Sequence, residues 1–431
     1  MKKILFVLCA FLLLVTMAAQ SAAMNKVGGG SPQPFVRGQK LLASDREGGD
    51  YFGAVVRLSQ DGRFMLVGAP YKDAGGYSNR GQIYIYERDG NNWVEVQKLT
   101  ATDGSSGDEF GTSIAIAHAP DYTIVVGAPG AEEEFYDDAG AAYVFTYNGS
   151  TWSQQSRLPI EDENPGYNNR GQAVAITADG NRVFVGTPSA GSGSNGSIYV
   201  LARSGNNWAQ EEEISGPTNG SANLGRALLL TDNDETLLAS GWHFPSEPFN
   251  ARGIVRVYRR PGSTWTEIDA LTPSDGLVDD QFGEALAISD NGQTLLIGAP
   301  RHNRQAYVFG VSGDSWTEQA ILRPPSSSPY TLFGSSVAMD AAGTKIVVGA
   351  WLNGSGGLHL FEGSGSSWAH LQTLHSFDSD YLGWAAAISS NGDMILGGAV
   401  NAASDEPVIE QVGAVYVFVM GRSLYLPLVM K

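Results

Sequence analysis

The sequence predicts an all-β fold: a seven-bladed β-propeller with four-stranded antiparallel blades, closed by an N-terminal strand that completes the last blade. Three observations predict it. A Phe-Gly-like dipeptide recurs with its glycine at Gly53, Gly111, Gly171, Gly225, Gly283, Gly334 and Gly383, at intervals of about 55 residues. Each copy is followed by a Gly-Ala-Pro-like stop, and each contains short β-forming runs separated by turn residues. A unit of this length cannot bury its own apolar face, so it must stack on its neighbours.

The chain opens on a segment outside the fold. Lys2 and Lys3 precede an apolar run from Ile4 to Ala18, and Ser21, Ala22 and Ala23 supply the small residues of a cleavage site. Residues 1–23 therefore read as a secretory signal peptide, too short and wrongly flanked for a spanning helix. The one cysteine, Cys9, lies inside it, so the mature chain is expected to hold no thiol and no disulfide. No later stretch is apolar enough to cross a bilayer, which predicts an exported, soluble monomer. Residues 24–34, with Gly28 to Gly30, Pro32 and Pro34, read as a flexible leader.

Loss of Lys2 and Lys3 takes the formal charge from −18 to −20. Such an acidic exterior repels phosphate backbones and anionic lipid surfaces, which excludes nucleic acid as a partner. Divalent cations, cationic partners or simple solubility all remain compatible with it.

The second copy shows the unit most fully. Its four runs are Phe110–Ala117, Thr123–Pro129, Ala141–Tyr147 and Thr151–Leu158. First strands are built of small residues that fit the crowded inner edge of a wedge. Fourth strands begin on Trp93, Trp152, Trp208, Trp265, Trp316 and Trp368, large rings that fill the gaps where blades diverge. The seventh copy lacks such a strand. Phe35–Leu41 aligns with Trp93–Leu99, so the N-terminal segment is expected to be the missing outer strand, pairing two sheet edges that would otherwise be exposed. Residues 421–431 form an apolar tail beyond the last copy, either packed on the rim or serving as a sorting signal.

Phe-Gly, then Val-Gly-Ala-Pro, then Gly-Ala-(Ala)-Tyr-Val-Phe, then Trp, repeated over residues 35–420, resembles the FG-GAP repeat. That repeat is the unit of the integrin alpha-subunit propeller and of many secreted bacterial proteins. Four copies depart from the stop motif, with Thr187-Pro188, Ser240-Gly241, Ala350-Trp351 and Ala399-Val400 in the Ala-Pro slot. The resemblance implies a propeller used for adhesion or recognition, commonly with calcium in some blades. The family's metal loop, D-x-D-x-D-G-x-x-D, is not met. Ser59-Gln60-Asp61-Gly62, Thr177-Ala178-Asp179-Gly180, Ser289-Asp290-Asn291-Gly292, Asp340-Ala341-Ala342-Gly343 and Ser390-Asn391-Gly392-Asp393 carry too few carboxylates for a tight site. They read as tight turns with positive φ, so no cofactor is expected to be required and any Ca2+ binding to be weak.

Up-and-down blades place the tight one-two and three-four turns on one face of the ring. The longer two-three loops and blade connections share the other, which is the expected functional surface. Three features there are candidates. Glu132, Glu133, Glu134, Phe135, Tyr136, Asp137 and Asp138 form a carboxylate-dense loop, either a solvated charge run or a site for a cation or basic partner. Trp242, His243, Phe244 and Phe249 cluster aromatic side chains in one loop, for rim packing or ligand contact. Asp45/Asp50, Asp103/Asp108 and Asp275/Asp280 repeat one spacing in blade connections, as turn caps or a weak cation site. The six histidines form no metal-ligand spacing, and there is no nucleophile elbow or phosphate loop. These observations predict a non-enzymatic binding or adhesion module for an extracellular protein or glycan. The alternatives are a lectin using Trp242 or, from another class, a polysaccharide-active enzyme with a carboxylate pair on the same face.

Overall fold

Short β-branched and aromatic runs punctuated by glycine turns fold into seven four-stranded antiparallel sheets arranged as a ring. The computed structural model describes residues 34–118, 121–133, 138–162, 166–191, 194–217, 222–231, 234–241, 252–325, 332–352, 356–376, 380–404 and 408–421. The expected signal peptide, nearly all of the expected leader and the tail beyond Gly421 lie outside them. Residues 37–419 form one unit, the propeller. The chain ends, 1–36 and 420–431, form a second, within which the Gly421 N–H donates to the Pro34 carbonyl at 2.9 Å.

Blade one runs Val55–Leu58, Phe64–Ala69, Gln82–Asp89 and Asn92–Leu99, from the ring's centre outward. Blade two runs Ser113–Ala117, Thr123–Ala128, Ala141–Tyr147 and Trp152–Arg157, within a few residues of the expected boundaries. The last blade takes Leu382–Ile388, Met394–Ala399 and Ala414–Met420 from the end of the chain and Phe35–Leu41 from its beginning. The expected closure by an N-terminal outer strand is present.

The two glycine motifs are halves of one contact. Within a blade, the Phe-Gly amide donates to the carbonyl of the Val-Gly glycine: Gly53 to Gly68 at 3.1 Å, Gly111 to Gly127 at 3.0 Å, Gly283 to Gly298 at 3.0 Å. Between blades, the Val-Gly glycine lies against the next Phe-Gly glycine. A Cβ on Gly127 would stand 1.9 Å from the Gly171 carbonyl oxygen, and one on Gly398 would stand 2.0 Å from that of Gly53, which joins blade seven to blade one. At those two junctions only glycine fits so close an approach. In blade four Ser240 fills the glycine's place, accepting from Gly225 N–H at 3.1 Å. The alignment above, which put Ser240 in the Ala-Pro slot, is thereby shifted by one residue.

The tryptophans fill the wedge-shaped gaps between blades. Trp152 of blade two packs edge-on against Phe64 of blade one with centroids 5.5 Å apart, and Trp265 of blade four does the same to Phe184 of blade three at 5.3 Å. Each apolar cluster spans two or more blades, so no blade owns a complete core.

Candidate functional site at the channel mouth

First strands surround a central channel of about 540 Å³. Every first strand starts on the long-loop face, so the residue after each Phe-Gly glycine stands at that mouth: Ala54, Thr112, Gln172, Arg226, Glu284, Ser335 and Trp384. Five small or polar side chains and one small alanine would leave a plain rim. Trp384 does not. It sits on a bulge, since Leu382 pairs with Ala399 and Ala385 with Gly398, leaving Gly383 and Trp384 between them. Such an irregularity redirects a side chain out of the ladder.

Trp384 lies at the centre of a continuous aromatic row. Its ring is 4.5 Å from Trp351, which follows the second strand of blade six, and 6.1 Å from Tyr51, which precedes the first strand of blade one. Trp351 touches Tyr381 at 5.6 Å, and Tyr51 meets Tyr71 edge-on at 5.0 Å. Tyr71 is 36 % exposed, and the other four rings are half-buried. Tyr51 and Tyr381 hold φ of +56° and +59°, a conformation that bulky residues adopt only where the surrounding structure imposes it. Burial, helped by the Glu109 carboxylate, pushes the Tyr71 hydroxyl above its usual range, so it remains a neutral donor.

Across the channel the chemistry is polar. Arg226 and Glu284 pair at 3.5 Å, flanked by Thr112, Gln172 and Ser335. Burial lowers the Arg226 pKa against the opposing pull of Glu284. Deeper in, Arg57 donates from Nε to the Ile114 carbonyl at 3.2 Å and from Nη1 to that of Val56 at 3.1 Å. Its surface faces the lumen although protein surrounds it on all sides, and that enclosure lowers its pKa.

The opposite face is occupied by its own turns. Ser59 Oγ donates to Asp61 at 2.6 Å, Thr177 Oγ1 to Asp179 at 2.7 Å and Ser289 Oγ to Asn291 at 2.7 Å. Gly62, Gly180, Gly292, Gly343 and Gly392 all have φ between +67° and +69°, as expected of tight turns.

Several sequence candidates are committed to the scaffold. Glu133, expected as a ligand contact, accepts from the buried Arg170, which Asp162 also holds at 3.4 Å. Arg157 donates to the Glu132 carbonyl at 2.9 Å, while the exposed Glu132 and Asp138 carboxylates stay on the surface. The paired aspartates divide their labour. Asp275 accepts from the Tyr307 hydroxyl at 2.8 Å and pairs with Arg323 at 3.2 Å, and Asp103 pairs with Arg157 at 3.0 Å. Asp108 caps its own turn through the Ser105 N–H at 2.9 Å, and Asp280 does so through the Leu277 N–H at 2.5 Å. Burial raises the Asp108 pKa. At these four positions the carboxylates are engaged in capping and ion pairing. Among the described residues no group of three or more His, Cys, Asp or Glu is placed to hold a metal ion. Trp242, His243, Phe244, Phe249, Glu134, Tyr136 and Asp137 lie outside the described residues.

The row at the mouth was not among the expected sites. Its signal was present: Trp384 follows a Phe-Gly-type glycine where other copies carry small or polar residues, and Trp351 replaces the proline of Gly-Ala-Pro.

Family models of the FG-GAP repeat match residues 35–86, 93–145, 265–309 and 316–366. The chain is an FG-GAP propeller. Its fold is similar to that of the β-propeller domain of Cps50 (Swd1) from Myceliophteria thermophila, with a TM-score of 0.57 and 11% identity over 90% of this chain and 100% of that one. At that identity the likeness extends to the fold alone. Among the described residues of this FG-GAP propeller, no helix is long and apolar enough to cross a membrane.

Proposed function

We propose that this FG-GAP propeller is an exported, non-enzymatic binding module that takes an extracellular protein or glycan on its long-loop face. The aromatic row at the channel mouth carries this reading. Large rings left half-exposed on a rigid scaffold are the usual anchors of a recognition surface, because they bury much area while losing little conformational entropy. The contrast between faces supports it, since the tight turns spend their polar groups on one another. The long-loop carboxylates Glu133, Asp103 and Asp275 are each paired with an arginine, which speaks against a free acid/base pair and so against the enzyme alternative.

The test uses oriented immobilisation. With Cys9 in the signal segment, a single introduced cysteine gives one attachment point. Protein tethered through Asn91→Cys, on the tight-turn face, should capture ligands from protein and glycan arrays. Protein tethered through Leu277→Cys, on a blade connection of the long-loop face, should lose them. Binding that survives the Leu277 tether and fails with the Asn91 tether would place the site on the wrong face.

A further inference from the structure

Resting on that reading, we propose that the aromatic row and the channel rim together form a glycan site, taking neutral β-linked pyranose chains whose hydroxyls are equatorial. Three observations converge on that ligand.

The first is shape. Tyr71, Tyr51, Trp384, Trp351 and Tyr381 run unbroken from blade one through blade seven to blade six, with neighbouring centroids between 4.5 and 6.1 Å apart. The rings are turned to one another, edge-on at 86° and 81° and tilted at 47° and 56°, so the row offers alternating faces and edges along an extended path, which suits several linked sugars better than a single small molecule. Aromatic faces carry negative charge density, and the C–H bonds of a pyranose face carry the complementary positive density. Equatorial hydroxyls leave that C–H face flat; axial hydroxyls interrupt it.

The second is the company the row keeps. A sugar is amphipathic, apolar on its faces and polar around its edge, and its site needs both kinds of surface within one ring's reach. Trp384 belongs to both, since it lines the channel as well as the row. The rim beyond it supplies a hydroxyl on Thr112, a hydroxyl on Ser335, the Gln172 amide and the Arg226–Glu284 pair at 3.5 Å. A largely apolar wall with a few placed polar groups is the general composition of a small-molecule site.

The third is charge. A net charge of −18 on the whole chain opposes polyanionic glycans, and Arg57 and Arg226 are the two cationic groups of the channel wall. Neutral glycans carry no such penalty.

The experiment is calorimetric titration of the mature protein with cellohexaose, xylohexaose and chitohexaose, and with a heparin hexasaccharide as the polyanion. At least one neutral hexasaccharide should bind, and heparin should not. Trp384→Ala and Trp351→Ala should each weaken binding tenfold or more, while Trp384→Phe, which retains a ring, should recover part of the loss. Asp89→Asn, on the tight-turn face, should leave binding unchanged. Circular dichroism and melting of each variant separate loss of ligand from loss of fold, and Tyr51→Ala serves as a second probe if Trp384→Ala does not fold. Neutral glycan binding unaffected by Trp384, Trp351 and Tyr51 overturns the assignment. Failure of all three neutral glycans, together with array capture of a protein that Trp384→Phe weakens, overturns the glycan and leaves the binding reading intact. Failure of both overturns both.

Discussion

Gln39 grips the main chain of Trp93 from two directions: its Oε1 accepts from the Trp93 N–H at 3.0 Å and its Nε2 donates to the Trp93 carbonyl at 3.2 Å. Gln97 does the same to Trp152 at 2.8 and 2.7 Å. The outer strand of blade one is thus tied to that of blade two, and the tie made by Gln39 joins the last blade to the first. Deleting residues 24–42 should lower stability by several kcal/mol, because a whole strand and its ring-closing contacts are lost. Gln39→Ala alone should cost about 1–2 kcal/mol for two hydrogen bonds. Denaturant midpoints measure both. A deletion that unfolds at the same midpoint as the mature chain would contradict closure by this strand.

The glycine contact gives a sharper test. Ala at position 398 would bring its Cβ within 2.0 Å of the Gly53 carbonyl oxygen; that oxygen is backbone, and a Cβ is fixed rigidly to its own backbone, so neither can turn aside as a long side chain could. Gly398→Ala should therefore destabilise by more than about 2 kcal/mol, whereas Gly90→Ala, with nothing within 4 Å but a φ of +60°, should cost about 1 kcal/mol. Equal costs would show that the blade junction is looser than described.

Tyrosine hydroxyls bind connection aspartates in several blades: Tyr84 to Asp45 and Tyr307 to Asp275 at 2.8 Å, Tyr416 to Asp380 at 2.6 Å. Tyr84→Phe should cost about 1.5–3 kcal/mol, as for a hydrogen bond to a charged partner. The same use of carboxylates predicts that calcium matters little for folding. Melts in excess calcium and in chelator, at fixed ionic strength, should differ by no more than a degree or two. A large upward shift that persists at high salt would reveal a specific site.

His359 stands where five blades place Tyr84, Tyr143, Tyr199, Tyr307 or Tyr416, and it is 8 % exposed. Burial, with the His370 and His375 charges adding to it, lowers its pKa from 6.5 to about 4. Above pH 6.5 neither the folded nor the unfolded chain protonates it, and its contribution is complete. As the pH falls from 6.5 to about 4 the unfolded chain takes up a proton that the folded chain refuses, so stability declines. The loss should approach about 3 kcal/mol. His359→Tyr should remove that component, so the difference between wild type and variant should grow as the pH falls through this window. A difference independent of pH would refute the assignment.

The fold was legible because its determinants are local and repeated. Phe-Gly, the stop motif and the strand-four tryptophan each recur often enough to set register, and Phe35–Leu41 repeats the pattern of Trp93–Leu99. The site was not legible, because Tyr51 and Trp384 lie near opposite ends of the chain and meet only when the ring closes. Glu133 illustrates the other difficulty. In sequence it is one of a run of acids, and only the fold brings Arg170 against it. Composition alone cannot distinguish a free carboxylate from a paired one.

The most direct test of the aromatic row as the binding surface is fluorine NMR of the mature protein labelled with 5-fluorotryptophan. Each resonance is assigned by single substitution, and the protein is titrated with cellohexaose, xylohexaose and chitohexaose and with any binder found on the arrays. The account predicts that Trp384 and Trp351 shift on binding while Trp93, Trp152, Trp208, Trp265 and Trp316, which are buried between blades, stay in place. Ligand-induced shifts at Trp242 or at the inter-blade tryptophans, with Trp384 and Trp351 unmoved, would contradict it.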